Sequence, residues 1–167
     1  MSISMQKALK TAHEAEKEGM KNYLKYAKAT KYENGKNMFI QLALDEIDHM
    51  ELIEQFMEKA LKGEKITSVN VPKSRLAKFM PDLKDIKKGE KADVSDADAL
   101  KVALIHEEKA SKFYLDEAEK AEDPELKAFF QKLADVEQKH YAIIKAELDF
   151  MQEDGFWFDA MEFSLEK

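Results

Sequence analysis

Two short segments pair a glutamate with a histidine three residues later: Glu46-Ile47-Asp48-His49 and Glu137-Gln138-Lys139-His140. On a helix that spacing is about 60° of rotation and about 4.5 Å of rise, so carboxylate and imidazole can converge on one metal ion. Either motif alone carries little weight in a chain so rich in glutamate. As a pair they carry more, because a displacement of 91 positions lays one on the other without a gap.

The same displacement places Ala8-Leu9-Lys10 on Ala99-Leu100-Lys101, Glu16 on Glu107, and Tyr23-Leu24 on Tyr114-Leu115. It also places Leu42-Ala43 on Leu133-Ala134 and Ile53 on Ile144. Such a register implies duplication of one helical hairpin. Two copies pack most simply about a pseudo-twofold axis, where a site receives matching ligands from both halves.

The matched set is Glu16, Glu46, His49, Glu107, Glu137 and His140. Four carboxylates neutralise two divalent ions, whereas the same groups buried without metal repel one another and lose their hydration. The plain alternative is surface glutamates with two solitary core histidines, and the shared register argues against it. The chain has no cysteine, which excludes disulfides, thiolate zinc sites and iron–sulfur clusters within it. Glutamate and imidazole donors suit iron or manganese better than copper(I) or structural zinc, and adventitious zinc can still enter on purification. The expected cofactor is two iron ions per chain.

Further groups surround this set. Tyr23 and Tyr114 lie seven positions after Glu16 and Glu107, on the same helix face, where a phenol can hydrogen-bond a ligand carboxylate from a neighbouring helix. Core packing is the alternative role. Asp45 precedes Glu46 and can accept the free N–H of a ligand histidine, although its repeat mate is Val136. His13 and His106 fall on Leu104 and Ala15 in the repeat; both read as surface or structural histidines, with His13 near the mouth of a site.

Helices must carry these residues. The chain has 167 residues, of which 44% are hydrophobic and 37% charged, with five Gly and three Pro; that balance favours an all-α domain with a real core. Apolar periodicity predicts helices over about 5–32, 36–61, from 95 and from 124 to 154. Ser95 with Asp98 resembles a capping box, and Asp123-Pro124 reads as an N-cap followed by proline at the first helical position. Short links make each pair a hairpin, 5–62 and 95–154. The connection 63–94, with Pro72 and Pro81, is long enough to run the length of a bundle and to carry one short helix. Two hairpins joined by one long crossover give a ferritin-like four-helix bundle within a single domain over 1–167. The aromatic segment 155–167, with Trp157, Met161, Phe163 and Leu165, is expected to pack on the bundle end; it also makes a homodimer an option.

The net charge of −7 is dispersed, and the lysine-rich run from Lys84 to Lys91 is broken by Asp85 and Glu90, so no basic face offers itself to nucleic acid. No apolar run is long enough to span a membrane, and residues 1–10 lack the apolar stretch of a signal peptide, which makes the expected location cytoplasmic.

Taken together, the chain resembles the ferritin-like domain of the rubrerythrin family from its first helix through its fourth. The resemblance implies that Glu16, Glu46, His49, Glu107, Glu137 and His140 ligate a di-iron centre, and that the centre reduces hydrogen peroxide or dioxygen and protects cells from oxidative stress. Many rubrerythrins carry an extra glutamate one turn after the third-helix ligand; here that place is Ala110, and its repeat mate is Gly19. No rubredoxin module is present, so electrons are expected from an external donor such as rubredoxin. Two other functions use the same residues: an iron-handling ferroxidase, and a non-catalytic module whose metals only hold helices together. A substrate hydroxylase is weaker, because it needs an apolar cavity beside the metals.

Overall fold

The computed structural model describes residues 3–64, 88–91 and 94–158. Four long helices dominate: α1 (Ile3–Ala29), α2 (Glu33–Lys62), α3 (Val94–Lys120) and α4 (Pro124–Asp154). Helices α1 and α2 pack closely as one hairpin and α3 and α4 as the other, with α1 also meeting α3 across the bundle. This is the ferritin-like arrangement that the repeat predicts.

Local chemistry sets the helix ends. The Asp123 side chain accepts hydrogen bonds from the backbone N–H of Glu125 at 2.8 Å and of Leu126 at 3.0 Å, and Pro124 opens α4 where no N–H is needed. Gly63 and Gly155 close α2 and α4 with φ of 67° and 75°, a left-handed conformation in which a Cβ is strained. The first hairpin turns sooner than periodicity suggests: α1 ends at Ala29 and α2 starts at Glu33. Ser95 lies inside the first turn of α3 rather than ahead of it. The capping-box reading therefore fails, and Asp98 instead pairs with Lys101 Nζ at 3.1 Å.

The core divides into two apolar clusters. One gathers Leu9, Ile53, Phe56, Tyr114, Phe129, Phe130 and Leu133. The other gathers Tyr23, Phe39, Leu42, Leu100, Ile144 and Trp157. Each takes residues from both hairpins, as duplication about a shared axis requires.

The second cluster is sealed by the end of the chain. Strand β1 (Lys88–Lys91) pairs antiparallel with β2 (Phe156–Phe158), so part of the lysine-rich run is tied into backbone pairing. Trp157 is fully buried, donates from Nε1 to Asp96 Oδ2 at 3.2 Å, and stands edge-on to Phe39. Gly35 makes room for it, since a Cβ there would lie 2.6 Å from Trp157 Cζ2. The described part of the tail, 155–158, thus packs on the bundle end. Met161, Phe163 and Leu165, the crossover around Pro72 and Pro81, and Lys84 lie outside the described residues. Among the described residues, no helix is long and apolar enough to cross a membrane.

Candidate metal centre

The six matched glutamates and histidines come from four different helices, and the bundle brings them together. Glu16 (α1), Glu46 and His49 (α2), Glu107 (α3), and Glu137 and His140 (α4) are each at most 2% exposed. They form two overlapping groups: Glu16, Glu46, His49 and Glu137, and Glu46, Glu107, Glu137 and His140. Within each group, one donor atom per residue lies within 4.8 Å of all the others. Glu46 and Glu137 belong to both groups, so each occupies a bridging place, while a glutamate and a histidine stand at either side.

Both imidazoles turn Nδ1 toward the carboxylates. His49 Nδ1 lies 3.1 Å from Glu16 Oε2 and 3.2 Å from Glu137 Oε1. His140 Nδ1 lies 3.1 Å from Glu137 Oε2 and 3.6 Å from Glu107 Oε2. The rings are stacked with centroids 5.8 Å apart.

The tyrosines complete a crossed pattern. Tyr23 on α1 donates its hydroxyl to Glu107 Oε1 on α3, and Tyr114 on α3 donates to Glu16 Oε1 on α1. Each phenol therefore holds one oxygen of the opposite hairpin's glutamate and leaves the other oxygen for the centre. Asp45 Oδ2 meets His140 Nε2 at 3.1 Å, which assigns the proton to Nε2 and frees Nδ1 in the neutral ring. At the repeat position of Asp45 stands Val136, whose side chain cannot accept such a bond from His49.

The remaining polar residues have other places. His13 is bound to Glu54 at 2.7 Å on the outside of the first hairpin. Ala110, the repeat mate of Gly19, packs with the first apolar cluster. His106 is closer to the site than its sequence position suggested. It rests on Gly19, which has Glu46 as its next neighbour, and it stands edge-on to Tyr23. The repeat carries no signal for this placement, since neither His106 nor Gly19 has an identical mate. On the outer face, Glu107 floors a groove between α3 and α4, with Ser111, Gln138 and Tyr141 along its walls and Glu108, Asp116 and Glu119 among its lining residues.

Without a cation the cluster is electrostatically frustrated. Burial, with help from Glu16 and Glu137, pushes the Glu46 carboxyl well above the ordinary carboxylate range. Burial and then Glu137 do the same to Glu107. Burial also works to raise Glu137, yet the two imidazoles hold it well below the usual range. Burial opposes the charged form of both histidines; Glu16 and Glu137 nevertheless raise His49, and Asp45, Glu107 and Glu137 raise His140. Burial followed by Glu16 raises the Tyr114 phenol. Among the described residues, Glu46 Oε1, Glu107 Oε2 and Glu137 Oε1 are buried with no hydrogen-bond partner. An unsatisfied buried carboxylate oxygen is costly, and divalent cations supply the charge and the coordination that these three lack. The donor set therefore fits a pair of metal ions.

Four helices in two hairpins, closed around a buried carboxylate and histidine cluster able to hold metal, define a ferritin-like domain. The sequence model of the rubrerythrin family matches residues 7–149, and the chain belongs to that family. A hypothetical protein from Pyrococcus furiosus has the same fold, with a TM-score of 0.69, 24% identity, and coverage of 93% of this chain and 94% of that one. No curated protein matches the chain.

Proposed function

We propose that this protein is a di-iron oxidoreductase that reduces hydrogen peroxide or dioxygen. The observation that carries the reading is the group of three buried carboxylate oxygens, none of them held by a hydrogen bond, clustered with two inward-facing imidazoles. Glu16 and His49 would hold one iron and Glu107 and His140 the other, with Glu46 and Glu137 shared. A bound iron pair supplies two electrons by passing from the ferrous to the ferric state.

The chain's own residues set the conditions for that exchange. Tyr23 and Tyr114 fix the terminal glutamates by one oxygen each, which limits their swing and moderates their basicity. Asp45 orients His140 and strengthens it as a donor. The two apolar clusters on either side keep bulk water from the carboxylates. In this reading a reductant outside these helices supplies the electrons that return the irons to the ferrous state. Manganese or zinc can occupy the same donors, because affinity alone does not select iron.

The test is to load the protein anaerobically with Fe(II), then mix it with peroxide or with dioxygen while recording absorbance. Rapid growth of ferric bands with one oxidant, and repeated turnover when a reductant is supplied, is expected. Loaded protein that stays ferrous with both oxidants would leave the metals a structural role only. A second reading, iron handling by ferroxidation, draws on the carboxylates that line the groove above Glu107. It predicts that ferric iron leaves the protein after oxidation, whereas the oxidoreductase keeps its two irons through many cycles.

A further inference from the structure

Gly19 lies one turn after Glu16 and is buried. A Cβ at this position would lie 2.6 Å from His106 Nε2 and 3.4 Å from Glu46 Cδ. The imidazole of His106 thus occupies space that any other residue at position 19 would need, next to a carboxylate common to both ligand groups. Its ring stands at 87° to Tyr23 with centroids 6.1 Å apart. It is half-buried, so the slot reaches solvent, and it has no hydrogen-bond partner among the described residues. The repeat mates are Ala15 and Ala110, so the other half of the centre has nothing equivalent.

A ring nitrogen set into a fitted slot, unpaired with protein and beside a bridging carboxylate, is available to whatever enters there. We propose that His106, seated on Gly19, is a positioning residue that hydrogen-bonds a small exogenous ligand of the metal pair on the Glu46 side of the α1–α3 seam. The ligand class is a small metal-binding molecule or anion the size of peroxide or azide. A second groove, between α3 and α4, is lined by Glu108, Asp116 and Glu119 alongside Lys112; carboxylates there disfavour an anion. This inference rests on the di-metal reading above.

The experiment uses the diferric protein titrated with azide at fixed pH, with the ligand-to-metal absorbance giving the dissociation constant and elemental analysis giving the iron count. Loss of a hydrogen bond to a charged ligand weakens binding by about tenfold or more. His106→Ala is expected to show that loss and to retain two irons. Gly19→Ala should displace the imidazole and weaken azide similarly, and the double variant should be no weaker than either single one, because both act through one contact. His106→Gln, which keeps an N–H donor, should fall between. A His106→Ala protein with two irons and unchanged azide affinity overturns the proposal while leaving the centre intact. Loss of an iron in that variant also overturns it, by making His106 a ligand. Wild-type protein that binds no iron overturns both readings.

Discussion

The two halves of the buried carboxylate and histidine cluster share one repeat register, yet only their donors and the paired tyrosines remain equivalent. Glu16 with His49 mirrors Glu107 with His140, and the tyrosine contacts cross the bundle in both directions. Around them the halves diverge. Asp45 holds His140 while Val136 stands at its repeat position, and His106 on Gly19 corresponds to Ala15 and Ala110. The bundle ends diverge as well. Gly35 is open to receive Trp157, whereas its repeat mate Leu126 is a buried core residue. The repeat carries a symmetric set of donors, and the substitutions between its halves give the two ligand groups different surroundings.

The most severe way to break the symmetry is through the shared glutamates. Glu46→Ala or Glu137→Ala removes a donor from both groups, so iron content should fall close to zero in either variant. Glu16→Ala or Glu107→Ala strikes one group and should spare about one iron, read by elemental analysis. Equal losses in all four variants would refute the bridging assignment.

Next in size is the end lock. Trp157→Ala empties a fully buried site and removes the bond to Asp96, at a cost of about 3–5 kcal/mol. Thermal unfolding of the metal-free protein should show a large drop in midpoint. A change of a degree or less would mean that the tail contributes nothing to the bundle.

Asp45→Asn probes the divergence between the metal positions. Loss of a carboxylate behind a ligand histidine lowers metal affinity about 10–100-fold. One of the two binding steps should weaken while the other stays, as followed by titration with Co(II). Weakening of both steps equally would show that the two positions are not separable.

Protons offer a gentler probe. Burial and neighbouring carboxylates raise Glu46 and Glu107, and carboxylate neighbours raise His49 and His140 against burial, so protons compete for the same donor atoms. Divalent ions must displace those protons, so binding releases them and metal affinity rises with pH. Calorimetry in buffers of different ionisation enthalpy should give different apparent heats; identical heats would contradict the protonated cluster.

The smallest effect belongs to the tyrosines. Tyr23→Phe and Tyr114→Phe each delete one hydrogen bond, worth about 1 kcal/mol, and symmetry predicts similar losses of metal affinity, on opposite sides. A strong effect from one and none from the other would show that the asymmetry extends to the carboxylates themselves.

Where the repeat carried information, the sequence was readable. A register of 91 positions located both hairpins, the six clustered residues and the tyrosine pair, because duplication preserves whatever both copies use. Asp123-Pro124 and the two closing glycines were legible from local backbone chemistry alone. Three features were not. His106 looked like a surface residue, since its proximity to Glu46 depends on how α1 meets α3 and on a missing Cβ at Gly19. Asp45 was ambiguous for lack of a mate, and only the closeness of α2 to α4 shows which imidazole it serves. Ser95 suggested a helix start that the backbone places one residue earlier. For His106 and Asp45 the deciding contact is between distant segments and leaves no periodic trace in the chain.

The central claim is that the buried cluster is built for two metal ions. Its most direct test is anaerobic reconstitution of the wild-type protein with Fe(II), removal of excess metal, and elemental analysis against protein concentration. Two irons per chain are predicted, with the carboxylate-deficient Glu46→Ala/Glu137→Ala protein near zero. A wild-type protein that retains none, or a double variant that binds as much as wild type, would contradict the account.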